Sequence, residues 1–156
     1  MSGLKGTRGF TLVELMITIA LLAIVATIAV PNFTQFIRNN QVQAKADELK
    51  TFLQYARGQA VSTRKSYEVT TGTTWEVKPV GGNVERRLEF ITAQARARTS
   101  VDTFTFLSNG SASSSAQITV CRDTDAGNGY LIEIQRSGMV RMQPRGVDVP
   151  SNCGVE

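Results

Sequence analysis

Gly9-Phe10-Thr11-Leu12-Val13-Glu14 opens the main apolar run of the chain, FTLVELMITIALLAIVATIAV from Phe10 to Val30, in which Glu14 is the one charged residue. At about 1.5 Å rise per residue, a helix over this run is roughly 31 Å long, enough to cross the hydrocarbon of a bilayer. The preceding Met1 to Gly9 (MSGLKGTRG) is polar and carries Lys5 and Arg8 without an acidic residue. Positive flanks stay on the cytoplasmic side, so residues after Val30 are expected on the periplasmic or outer side. A secretory signal peptide would have a shorter apolar region closed by an A-x-A-like site. Here the alanines fall at 20, 23, 26 and 29, and no such site ends the run. An ordinary single-pass anchor explains every feature except Glu14, because an ionised carboxylate in lipid costs on the order of 2 to 3 kcal/mol and is normally functional. Glu14 therefore needs a positive partner. A cut between Gly9 and Phe10 would create an α-amino group one helical turn away, and a neighbouring subunit could present the same amine.

These residues resemble the GFTLxE signature of type IV prepilins and type II secretion pseudopilins, and the apolar run followed by Pro31 is similar to theirs. The resemblance implies cleavage after Gly9 by a prepilin peptidase, N-methylation of Phe10, and a role for Glu14 in docking into a growing filament. It divides the chain into a leader (1–9), a transmembrane and filament-core helix (10–30), an amphipathic periplasmic half of that helix (31–63) and a β-rich head (64–156).

Beyond the span, Pro31 lacks an N–H and is expected to kink the helix or mark a local break. Val42, Ala46, Leu49, Leu53, Ala56 and Ala60 then recur at intervals of three and four, which is one face of an α-helix, with Lys45, Lys50, Gln54 and Arg57 pointing elsewhere. Helix is expected to fade between Ser62 and Lys65. Tyr67 to Thr71, Gly72, and Thr73 to Lys78 alternate as a β-hairpin that Pro79 and Gly81-Gly82 end. Leu88 to Ala93 reads as a strand or an irregular edge, and the Arg-rich 95–98 is ambiguous. Val101 to Leu107, Gln117 to Arg122, Tyr130 to Gln135 and Met139 to Gln143 read as four strands of an antiparallel meander. They are separated by the Ser-rich 108–116 loop, an Asp/Gly/Asn turn over 123–129, and Ser137-Gly138. The Ser-rich loop reads as a solvated linker rather than a partner-contact tip. The expected fold is α+β, a type IV pilin fold with a long N-terminal helix, half of it transmembrane, packed on an antiparallel sheet.

With 156 residues the chain has room for one domain besides the membrane segment. It has no histidine, which removes His-based triads and His-containing metal sites, and two cysteines cannot complete a tetrahedral zinc shell. No spacing of carboxylates, of Ser with Lys, or around a thiolate suggests catalysis, and neither an enzyme nor a cofactor is expected. Cys121 and Cys153 are either two separate buried thiols or one disulfide. Export of the head favours the bridge, which would add roughly 3 to 4 kcal/mol. Seventeen basic residues stand against 13 acidic ones. Lys5 and Arg8 leave with the leader, and the nearly neutral remainder argues against a strongly electrostatic role.

The order of elements is similar to that of the H-type minor pilins, FimU-like and FimT-like, and of the H pseudopilin of type II secretion. Phe104 to Gly110 and Ser137-Gly138-Met139-Val140-Arg141 resemble that group's strand, Gly, strand, Gly, basic pattern. The resemblance implies a minor pilin that helps to initiate assembly and sits at or near the fibre tip. Its head would lie in the periplasm and its anchor in the bacterial inner membrane. The implied partners are other minor pilins, the major pilin and the prepilin peptidase. The alternative is an H-type pseudopilin, in which a head disulfide is often lacking. A third reading is a DNA-binding tip receptor. DNA-binding FimT-like members carry a Gly-Arg-x-Arg stretch, and here Met139 replaces its first arginine, leaving Arg136, Arg141 and Arg145 as a basic edge.

Overall fold

The computed structural model describes residues 10–99, 101–122 and 125–143, in two compact units that meet in the chain between Ile37 and Arg38. Helix α1 runs from Leu12 to Thr63 and contains Pro31. The helix does not end at Pro31, so of the two sequence expectations the local break does not occur. Pro31 offers no N–H to the Thr27 carbonyl. Immediately around it, Asn32 Nδ2 donates to the Ile28 carbonyl (2.9 Å) and Thr34 Oγ1 to the Val30 carbonyl (3.0 Å). The helix stops after Thr63, where Arg64 takes a positive φ of 55°, a left-handed conformation that commonly closes helices.

In the second unit the apolar stripe falls where its spacing predicts. Val42, Ala46, Leu49, Leu53, Ala56 and Ala60 are all buried, and Phe52 joins them. Strands β1 (Tyr67–Thr70), β2 (Thr74–Pro79), β3 (Arg86–Glu89) and β5 (Thr103–Phe106) form one antiparallel sheet in the order β3-β2-β1-β5. Strands β4 (Arg96–Thr99), β6 (Ala116–Arg122), β7 (Asp125–Ile134) and β8 (Val140–Gln143) form another in the order β4-β6-β7-β8. The α1 stripe, the inward residues Val69, Trp75, Val77, Phe104 and Phe106 of the first sheet, and Ile118, Val120, Ile132 and Ile134 of the second make one hydrophobic cluster. Each large member contributes about 1.5 to 3 kcal/mol by leaving water.

The hairpin read around Gly72 is present, with Tyr67 opposite Pro79 and Thr70 opposite Glu76. The four-strand meander is not. Only β6, β7 and β8 follow one another. β5 instead pairs with β1, placing Phe106 beside Tyr67 and Phe104 beside Val69. A long Ser-rich connection does not hold its flanking strands together as a two-residue turn would, and the Phe104 and Phe106 rings find their burial in the first sheet. β7 also starts earlier than expected. The Asp/Gly/Asn composition of 125–129 signals a turn, yet Asp125 pairs with Arg122 after a register shift between Val120 and Arg122. Glycine within a strand commonly marks such a bulge. The ambiguous Arg-rich segment is the end strand β4.

Tyr67 opens the inner strand β1, four residues after the end of α1. It is buried, and its hydroxyl donates to Glu85 Oε1 at 3.1 Å. Burial pushes its pKa up, and the neighbouring Glu85 carboxylate adds to the shift. A folded-state pKa above the unfolded one means that the folded form holds the proton more tightly, so this contribution is intact below about pH 10 and is lost as pH climbs through the raised value. The melting temperature, followed through the single, buried Trp75, is expected to fall above about pH 10. In Tyr67→Phe that alkaline fall should be shallower; an unchanged alkaline limb would count against Tyr67 as its source.

Candidate functional site

The first unit has no internal core. Every large apolar side chain from Leu12 to Phe36 is more than half exposed, on all sides of the helix. A helix apolar all round belongs in lipid or inside an assembly, and α1 is long and apolar enough to cross a membrane. Its polar side chains suit such surroundings, because they bond within the helix. Thr18 Oγ1 donates to the Leu15 carbonyl (2.8 Å) and Thr27 Oγ1 to the Ile24 carbonyl (2.7 Å), so neither hydroxyl is left unsatisfied in an apolar medium.

Glu14 is the third residue of α1, and its backbone N–H donates to Thr11 Oγ1 at 3.2 Å. Thr11 is therefore the N-cap, and Thr-x-x-Glu at 11–14 has the spacing of a capping box. This feature was missed by reading Glu14 only as a charge in lipid, although its signal stands in the sequence. A carboxylate in the first turn also faces the positive end of the helix dipole, worth about 0.3 to 1 kcal/mol at an exposed site. In an apolar medium the same interaction would offset part of the cost of the charge. Phe10 precedes the cap and is 78 % exposed. Gly9 lies outside the described residues.

In the head, Arg136 is exposed in the β7–β8 turn, and Arg141 is exposed on β8 with Glu133 of β7 as its cross-strand neighbour. Arg145 lies outside the described residues. The two described arginines share one hairpin, with a carboxylate between the strands to reduce its positive field. Cys121 is fully buried in β6, and Cys153 lies outside the described residues. Among the described residues, no group of three or more His, Cys, Asp or Glu is placed to hold a metal ion.

Sequence reasoning also missed the contact that joins the two glycine turns. Gly110 (φ 82°) follows β5 and Gly138 (φ 78°) precedes β8. A Cβ on Gly138 would overlap the Gly110 carbonyl oxygen and come within 2.9 Å of Arg57 Nε; a Cβ on Gly110 would come within 2.8 Å of Val61 Cγ2. Arg57 Nε donates to that Gly110 carbonyl at 2.9 Å. The arginine assigned only to the outer face of α1 thus ties the helix to the Gly110 turn, against which Gly138 packs.

The family described as Type II transport protein GspH matches residues 45–138, and the Prokaryotic N-terminal methylation motif matches residues 4–30. The type IV major pilin protein PilA of Myxococcus xanthus is 52 % identical over 46 residues, 30 % of this chain and 19 % of that protein. A fimbrial protein of Pseudomonas aeruginosa is 32 % identical over 130 residues, 78 % of this chain and 83 % of that protein. The crystal structure of the type IV minor pilin FimU of Pseudomonas aeruginosa aligns with a TM-score of 0.66 at 25 % identity, over 76 % of this chain and 99 % of the other.

Proposed function

Since the chain belongs to the H-type family of type IV minor pilins and type II transport pseudopilins, we propose that it is a minor subunit of a type IV pilus that helps to start the fibre and sits at or near its tip. The observation that carries this reading is a helix apolar on every side from Leu15 to Val30, opened by Thr11 and Glu14, and matched to the N-terminal methylation motif. In this reading the prepilin peptidase cuts between Gly9 and Phe10, Phe10 is N-methylated, and α1 anchors the subunit in the inner membrane with its head in the periplasm. Glu14 then meets an N-terminal amine during docking, its own or a neighbour's, and Pro31 kinks the helix where it leaves the lipid.

The working parts are surfaces. Apolar helix buried among the helices of other minor pilins and the major pilin removes most of its exposed area from water and lipid, while the head meets neighbouring heads. A fimbrial protein and a minor pilin matched along most of their length support the pilus over the type II secretion machine, and the proposed subunit carries a bridge between Cys121 and Cys153. Intact-mass analysis of protein from sheared pili tests the core of the proposal. The expected species lacks residues 1–9, carries one added methyl group on Phe10, and gains no alkylation until it is reduced. A chain that keeps its first nine residues would remove the filament reading, and two alkylatable thiols before reduction would remove the bridge.

A further inference from the structure

The uncovered edge of β4 is not dressed like the other strand ends. β4 is the first strand of its sheet, paired with β6 on one side and, among the described residues, with no strand on the other. Arg96 and Arg98 stand two residues apart, opposite Cys121 and Thr119, and so project to the same face. Neither makes an ion pair or side-chain hydrogen bond among the described residues. The arginines of the other sheet's end strand are engaged: Arg87 Nε lies 2.7 Å from Glu76 Oε1, and the Arg86 guanidinium lies over the Tyr55 ring at 4.9 Å. The edge of β5 is closed by its own loop, since Ser113 N–H donates to the Thr105 carbonyl and Thr105 N–H to Ser113 Oγ. On β8, Arg141 has Glu133 opposite.

Beside β4 runs a groove of about 240 Å³, bounded by Gly72 and Thr73 of the β1–β2 turn and by Phe90 and Thr92. A side chain added at Gly72 would find only the Thr74 carbonyl near it, at 3.8 Å, so the groove is open there. Three features coincide among the described residues: a backbone edge with no strand paired to it, an apolar floor at Phe90, and two cations at the spacing of alternate strand residues. Guard arginines on an edge need only water around them, whereas these flank a groove that an extended chain fits.

We propose that an extended, carboxylate-bearing segment of a neighbouring subunit adds to β4 as a further strand, with acidic side chains two residues apart meeting Arg96 and Arg98. Strand addition takes its affinity from main-chain hydrogen bonds and its specificity from alternate side chains, and this edge supplies both. A phosphodiester backbone would use the arginines but neither the free amides nor the apolar floor. The inference rests on the filament reading only for the source of the segment.

The test uses the processed full-length protein in detergent and a fluorescent peptide of alternating valine and glutamate, read by anisotropy at low salt. The peptide is expected to bind, to bind roughly tenfold or more weakly to the R96E/R98E double variant, and to lose binding when its backbone is N-methylated at alternate residues. Buried Trp75 fluorescence reports whether the double variant is folded; if it is not, R96Q/R98Q is measured in its place, with weakening in the same direction expected. Failure of the peptide to bind, equal binding by wild type and variant, undiminished binding of the N-methylated peptide, or preferential binding of a single-stranded oligonucleotide would each overturn the proposal. None of these outcomes touches leader removal or filament incorporation, so this proposal and the filament reading fail separately.

Discussion

Glu14→Ala is expected to leave the chain processed and membrane-bound while lowering its share of sheared filaments on the order of tenfold or more. The size follows from where the carboxylate stands. An ionised group in lipid costs on the order of 2 to 3 kcal/mol, and a partner amine offsets that cost only in the docked state, so losing the pair removes a bias of at least one decade in an assembly equilibrium. Glu14 also stands at the third position of a helix capped by Thr11, and two roles must therefore be separated. Glu14→Gln keeps a side chain able to close the capping box but removes the charge. If charge pairing guides docking, glutamine behaves like alanine; if the cap is what matters, glutamine restores incorporation and the electrostatic role is rejected. Quantitative immunoblotting of sheared fibres against membrane fractions gives the ratio directly.

The second large effect is on the head. Gly138→Ala should destabilise it by roughly 3 kcal/mol or more, a large part of the 5 to 15 kcal/mol that holds a typical domain together. Two terms contribute. A positive φ costs an L-residue about 1 to 2 kcal/mol, and the new Cβ meets the Gly110 backbone oxygen, which is held in place by Arg57. Gly81 provides the control, since it has the same φ of 78° but nothing within 4 Å of an added Cβ. Gly81→Ala should therefore show only the backbone term, and urea melts of the two variants read through Trp75 should differ by the steric term. Gly138→Asn tolerates the left-handed backbone better than alanine does but still carries a Cβ, and should not rescue. Equal losses at 81 and 138 would mean that the crossing of the two turns adds nothing.

These expectations differ in how far they could be read without a structure. The role given to Glu14 needs only its place in an apolar run beside a short basic N-terminal stretch, and its cap is signalled by Thr11 three residues before it. Gly138 and Gly110 could each be read as turns, but their contact could not, because 28 residues separate them and neither carries a side chain to advertise a partner. Arg57 looked like any solvated helix residue. Arg96 and Arg98 could not be assigned even to a strand, since Arg-Ala-Arg-Thr has no apolar alternation strong enough to declare one; their placement comes from the pairing of β4 with β6.

The sequence by itself determined the elements whose periods are local: the apolar span, the stripe from Val42 to Ala60, the hairpin about Gly72, and the helix end near Arg64. A period of 3.6 or 2 is written in neighbouring residues, and burial then selects it. The tertiary structure alone decided that β5 leaves the meander for β1, that Asp125 to Gly129 extends β7 across a bulge, that β4 is the end strand of the described sheet, and that Arg57 holds the Gly110 turn against which Gly138 packs. Those choices depend on which long-range register buries the most apolar surface with its backbone paired, and that comparison involves residues too far apart in the chain for any local pattern to encode.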